Sequence, residues 1–244
     1  MKLSHFRYIE SSKYIRLSVE ITSPSLKKPF TLWLEADRKD KALLHIGPEV
    51  FLPSVLLLAM RYKEDFVINE PIRKDVLTSL YNVMDLVSTW EQTSIWTQLH
   101  KIQIRPISTV SCTNTRNKKK SAAFFSLGLD SFYALYHDVV NKNKLSYLIL
   151  VHGFDIALEN QKLFETVYQN AEVIAKETKK KIIVVRTNLK EFTGLGITWD
   201  AAHGAGLASV GYLFAGGLDT VLINSGDTRS TKVPYGTRFD LDKL

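Results

Sequence analysis

AAFFSLGLDS, residues 122–131, sets an apolar run directly against a turn of serine, leucine, glycine and aspartate. The apolar part reads as a buried strand and the residues from Ser131 onward as a helix, so the turn joins a strand to a helix N-terminus. The N–H groups of such a turn and of the first helical turn lack internal partners, and the helix dipole adds partial positive charge there. A phosphate or pyrophosphate is therefore a natural ligand. Gly128 permits close approach, and Ser126 and Ser131 supply hydroxyls. Asp130 opposes a phosphate electrostatically unless it caps the helix or holds a magnesium ion that neutralises the phosphate charge. An ordinary Asp/Ser cap on a βα turn has the same spacing.

Downstream of this turn the pattern repeats. Apolar runs at 148–151, 182–185 and 220–223 alternate with helical patterns at 159–177 and 201–215, after the first helix at 131–140. Continuous rather than alternating apolar strands, separated by helices, predict an α/β fold with a doubly wound parallel sheet covered on both faces. Right-handed crossovers place the strand carboxyl ends along one edge, where ligands of open α/β sheets collect. That edge gathers the 126–131 turn, then His152, Gly153, Phe154 and Asp155, then Arg186, Thr187 and Asn188, then Asn224, Ser225, Gly226 and Asp227. His203 falls in the first turn of the last helix, as a packing group or a catalyst, and Trp199 with Asp200 lines or seals that helix start. Other phosphate-binding patterns fit less well. No GK[ST] is present, and Gly204 and Gly206 sit inside a later helix, where they predict tight packing on the sheet.

Upstream, 14–21 alternates Ile15, Leu17, Val19 and Ile21 with polar residues and 30–35 reads as a second strand, predicting a hairpin. An apolar helix is expected over 51–60, opening near Pro53, with a short strand at 66–68, an amphipathic helix from 72 to about Trp90 and a further strand over 102–107. Residues 1–108 thus read as a small α+β domain, the polar and basic stretch 109–120 as a linker, and 121–244 as the α/β domain.

The 244 residues are 45% hydrophobic, yet no stretch approaches the roughly 20 uninterrupted apolar residues that cross a bilayer, and Lys2, His5, Arg7 and Glu10 replace an apolar leader. A cytoplasmic protein without membrane partners is expected. The single cysteine, Cys112, excludes an internal disulfide framework, a cysteine-rich zinc site within these residues and a two-cysteine sulfur transfer. A net charge of +7 favours an anionic partner, although the lysine runs 118–120 and 179–181 read as solvated faces more readily than as a nucleic-acid patch.

The rear half resembles the PP-loop ATP pyrophosphatases, the N-type branch of the adenine nucleotide alpha hydrolase-like fold, and in particular relatives of 7-cyano-7-deazaguanine synthase and of the asparagine synthetase synthetase domain. The strings that carry the resemblance are AAFFSLGLDSFYAL at 122–135, similar to the family's SGGxDS, with LILVHGFD at 148–155, AAHGAGLASV at 201–210 and PYGTRFDLD at 234–242. It implies ATP and Mg2+ in the crevice, with Ser126, Gly128, Leu129 and Ser131 around the phosphates and Asp130 beside the metal. His152, Gly153, Asp155, Asn188 and Ser225 are the further nucleotide-binding candidates, and Asp130, Ser131 and His203 the catalytic ones. The implied reaction forms an adenylate and pyrophosphate from a small carboxylate or amide substrate, which an amine then displaces from AMP. A nucleotide-binding module acting through a protein partner and a tRNA-modifying enzyme are the alternatives. Leu127 stands where the family has its first glycine, and the cysteine cluster of deazaguanine synthases has no counterpart in these 244 residues.

Overall fold

Period-two alternation makes a hairpin at the front of the chain and continuous apolar runs make parallel strands at the rear, and both join one nine-stranded sheet in the computed structural model, which describes residues 1–89, 98–111, 120–141, 145–224, 235–237 and 241–243. The front strands β1 (Lys2–Glu10), β2 (Tyr14–Thr22) and β3 (Phe30–Asp37) form an antiparallel meander. Ile15, Leu17, Val19 and Ile21 of β2 and Leu32, Leu34 and Ala36 of β3 all bury on one face. Helix α1 (Leu52–Tyr62) carries Pro53 in its first turn, where the missing N–H has no intrahelical partner to lose, and ends on Lys63 in the left-handed region at φ 57°. Two short strands, β4 (Phe66–Ile68) and β5 (Ile72–Arg73), lead into α2 (Lys74–Val87). β6 (Ile104–Pro106) lies parallel to β4, itself parallel to β1, while β7 (Thr109–Val110) pairs with β5 in a separate two-stranded sheet. Trp90 and residues 112–119 of the expected linker lie outside the described residues.

The rear alternation comes out as expected with one addition, a short helix at 189–193: β8 (Ser121–Phe124), α3 (Leu129–Asn141), β9 (Leu145–His152), α4 (Gln161–Glu177), β10 (Lys181–Thr187), α5 (Leu189–Thr193), α6 (Trp199–Leu213) and β11 (Thr220–Leu222). Their order is β10-β9-β8-β11, all parallel. The strand sequence therefore reverses between β8 and β11. Successive residues of each strand face opposite ways. Leu148, Leu150, Ile182 and Val184 pack with Leu135 of α3 and Phe164, Ala171 and Ala175 of α4. Tyr147, Ile149, Ile183 and Val185 pack with α5, α6 and α1 in the larger core.

One strand pairing makes the sheet continuous between the halves. β10 runs antiparallel to β3, with Thr187 opposite Leu34, and the sheet passes from one half to the other without a gap. Asn188 continues the ladder with its side chain: Oδ1 accepts from the Trp33 amide at 3.0 Å and Nδ2 donates to the Thr31 carbonyl at 2.9 Å. Residues on both sides of the expected linker thus share one mixed, mostly parallel sheet and one principal core, with the small front elements built onto it. Among the described residues no helix is long and apolar enough to cross a membrane.

Candidate functional site

The turn after β8 is open in the sense that matters for an anion. Phe125 still pairs with β9 through its amide to the Ile149 carbonyl at 2.9 Å, and then the chain reverses through Leu127 at φ 61°. That left-handed conformation is what a glycine would adopt freely; a β-carbon makes it cost about 1–2 kcal/mol. The helix opens on Gly128, whose carbonyl accepts the Phe132 amide at 3.1 Å and the Ser131 hydroxyl at 2.7 Å. Among the described residues the amides of Leu127, Leu129, Asp130 and Ser131 find no protein acceptor, as expected at a helix N-terminus, where the first donors have no intrahelical partner. Ser131 is buried and its hydroxyl proton is committed to the loop, so it shapes the turn. The Ser126 hydroxyl is exposed, with a long 3.4 Å contact from the Gly128 amide. The Leu129 side chain is 85% exposed, so only its backbone serves the turn.

Leu127 does not fill the site. Its side chain packs against the smaller core beneath α3 and α4 and is not among the residues around the cleft in front of the loop. That cleft, about 190 Å³, is bounded by Ser126, Gly128, Asp130 and Ser131 on one side and by Asp155, Trp199, His203 and Asn224 on the other. An apolar slot of about 260 Å³ adjoins it, sharing Ser126, Phe154, Asp155 and Leu207 and walled by Ile149, Val151 and Leu163. A larger groove of about 600 Å³ lies between α3 and β11 and meets the cleft only at Asp130 and Asn224. Asn224 donates to the Phe124 carbonyl at 2.7 Å and so fastens the end of β11 to the start of the loop. Sequence reading passed over Leu207; its spacing four residues after His203 puts both on one helical face, and both line the cleft.

Three of the expected nucleotide-binding residues, His152, Asn188 and Gly153, are placed elsewhere. His152 is buried, its ring stacked on Phe164 at 4.1 Å between centroids, with Nε2–H donating to the Ala157 carbonyl at 2.9 Å. Burial is the chief influence on it and lowers its pKa, favouring the neutral ring. Asn188 is consumed in the joint with β3. Gly153 sits at φ 109° with Thr187 so close that an added β-carbon would lie 1.9 Å from its carbonyl oxygen; the residue allows a crossing of backbones and does not reach the cleft. Ser225 and the motif residues 226–227 lie outside the described residues.

His203 reaches the cleft but is tied down. Its Nδ1 lies 3.2 and 3.0 Å from the Trp199 and Asp200 carbonyls, which only a protonated Nδ1 can satisfy, leaving Nε2 to accept from the Thr237 hydroxyl at 3.1 Å. Burial lowers its pKa. The residues that hold it form a strap across α6. The Gly236 amide donates to the Asp200 carbonyl at 2.8 Å, and a β-carbon on Gly204 would stand 1.6 Å from the Gly236 carbonyl oxygen. The glycine expected to seat the helix on the sheet instead makes room for that strap, and Gly206 makes room for Trp199 and Phe154.

The donor set suits a hard cation sparingly. Asp130 and Asp155 are exposed carboxylates on the two sides of the cleft, with the Asn224 side chain nearby, and no group of three metal-ligating side chains occurs among the described residues. Magnesium held by one or two carboxylates together with phosphate oxygens needs no such group, so the residues present fit it. Compared with protein-family models, curated proteins and solved structures, the chain matches none.

Proposed function

We propose that the chain binds ATP at this edge of the sheet and transfers its AMP moiety to a small carboxylate or amide, releasing pyrophosphate, as an AMP-forming ligase of the PP-loop, adenine nucleotide alpha hydrolase-like kind. The observation that carries the reading is the set of amides at 127 and 129–131 without a protein acceptor among the described residues, in a loop whose Ser126, Gly128, Asp130 and Ser131 line a cleft that Leu127 does not line. Three features support it. The loop stands where the strand order reverses between β8 and β11, the position at which open parallel sheets take ligands. A polar cleft continues into an apolar slot, which suits a phosphate chain attached to a flat base. Asp130 lines the cleft as an exposed carboxylate and would hold magnesium, which would screen the phosphate charge and stabilise the leaving pyrophosphate.

In this reading an acceptor oxygen attacks the α-phosphorus, and the bond from that phosphorus to the bridging oxygen breaks with its electron pair leaving on pyrophosphate. The loop amides and the Ser126 hydroxyl meet charge that grows on the departing group, the most effective placement for fixed dipoles. Ser131 acts through the loop by fixing Gly128, and His203 acts by position, since both of its nitrogens are engaged. Asp130→Ala is expected to lower ATP/pyrophosphate exchange by about 100-fold or more with an unchanged melting temperature; exchange at the wild-type rate would remove the mechanism. With α-labelled ATP the labelled product is expected to be AMP, and ADP as sole product would point to phosphoryl transfer instead. A second reading, nucleotide binding without turnover, is favoured by the engagement of His203, and tight ATP binding with no AMP released for any acceptor would select it.

A further inference from the structure

Among the described residues the half-buried cations follow a pairing rule with two exceptions that fall in the same place. Among the described residues the half-buried arginines are Arg16, Arg61, Arg73 and Arg186, and the half-buried lysines are Lys180 and Lys190. Arg16 pairs with Glu35 at 2.7 Å, Arg73 with Asp75, Arg186 with Asp37 at 3.0 Å, and Lys180 with Asp138 at 2.5 Å. Among the described residues neither Arg61 nor Lys190 has a carboxylate partner. Each has one neutral acceptor: Arg61 Nε donates to the Gly196 carbonyl at 3.1 Å, and Lys190 Nζ donates to the Phe154 carbonyl at 2.9 Å. A guanidinium has five N–H donors and an ammonium three, so most of their donors remain free.

Both side chains line one open basin of about 530 Å³, floored by the 194–198 loop and closed on one side by Trp199. Trp199 also borders the cleft in front of the 126–131 loop, so the two spaces share a wall. Lys190 lies over the Trp199 ring at 5.4 Å, which holds its ammonium at the rim. Arg61 comes from α1 of the front half and Lys190 from α5 of the rear half; the packing of those two helices brings like charges together without a neutralising side chain. Two partly desolvated cations facing the same space are unfavourable unless an anion joins them.

We infer that Arg61 and Lys190 form a site for a small ligand bearing an oxyanion, a carboxylate or a phosphate ester, held one tryptophan away from the nucleotide. That this ligand is the acceptor of the AMP moiety rests on the function proposed above; the anion site itself does not. It also gives the front half a share in the site, since the guanidinium that selects the ligand belongs to α1.

The test follows the melting temperature of the purified chain at constant ionic strength as sodium chloride is replaced by sodium phosphate or sodium benzoate. A saturable rise with one of the two anions is expected for the wild type, and the anion that gives it identifies the chemistry. The rise is expected to be lost in Arg61→Gln and in Lys190→Gln. General salting effects act on all three proteins alike and so drop out of the comparison. A rise of equal size in both variants, or none in the wild type with either anion, overturns the site. Titration of ATP and magnesium into the same three proteins separates this result from the nucleotide reading. Affinities within about threefold of one another are expected, because neither cation touches the loop cleft. Absence of ATP binding by the wild type would sink the nucleotide reading and leave the anion measurement standing.

Discussion

Two loops leave neighbouring parallel strands at the same edge of the sheet, and they are built for opposite purposes. After β8 the chain turns through Leu127 and Gly128 with its amides unpaired and its carboxylate and hydroxyl exposed. After β9 the first residues are closed off, and only Phe154 and Asp155 beyond them border the cleft: His152 is stacked and bonded, the Gly153 amide donates to the Ile156 carbonyl at 2.9 Å, and Thr187 lies against the Gly153 backbone. Both loops contain a histidine or hydroxyl residue, a glycine and an aspartate. A strand-end loop thus becomes a binding loop through where its donors point, and residue types alone do not separate the two cases.

Alanine at the two glycines gives the largest contrast. Gly153→Ala forces a β-carbon to within 1.9 Å of a backbone oxygen at φ 109°, so a loss of about 3 kcal/mol or more is expected in chemical denaturation. Gly128→Ala meets only the Ser126 Oγ at 3.3 Å, and stability within about 0.5 kcal/mol of wild type is expected. Its methyl group instead intrudes where a phosphate would approach, and ATP affinity is expected to fall about tenfold. Equal stability losses for the two variants would erase the distinction between an open and a closed loop.

A smaller effect separates the loops by pH. Burial lowers the His152 pKa, so the folded chain binds fewer protons than the unfolded one around the unfolded value of 6.5. The contribution is favourable above that value and is lost as pH falls through it. His152→Phe keeps the stack on Phe164 and removes the titration, at the expense of the Ala157 hydrogen bond, which is worth about 1 kcal/mol at every pH. The wild type is expected to exceed the variant by most at pH 8 and by less at pH 5, as read from urea midpoints. His203 shifts in the same direction and remains, so some acid lability persists. A constant difference between the two proteins would show that His152 does not titrate on unfolding in that range.

The rear strands and helices were legible because continuous apolar runs and 3.6-residue periodicity survive in the sequence. β1 was not, for a local reason. A bulge between Ser4 and Arg7, with His5 at φ 54°, sets the core residues Leu3 and Phe6 three apart, and the period-two signal is lost. The antiparallel joint between β10 and β3 was invisible as well, since it pairs the backbones of strands far apart in the sequence, and the Asn188 side chain that extends it is of a type that suits a cap or a ligand equally. Cleft residues fixed by strand ends, such as Ser126, Asp130, Asp155 and Asn224, follow from topology. Arg61 does not, because its neighbour Lys190 is 129 positions away and only the packing of α1 on α5 brings them together.

Leu127 offers the finest measurement, because opposing effects nearly cancel in stability and separate in binding. Glycine there would relieve the left-handed strain, about 1 kcal/mol, and would forfeit a similar amount from apolar packing on the smaller core. The freer unfolded chain costs a further few tenths to about 1 kcal/mol, so Leu127→Gly is expected to be less stable by about 1 kcal/mol. Affinity tells more. With the leucine anchored in the core, the loop amides are held ready, and releasing the anchor is expected to weaken ATP binding by about threefold to tenfold through the ordering it then requires. Tighter binding in the glycine variant would mean that the leucine hinders the nucleotide, and the open loop would then be as much a packing element as the closed one beside it.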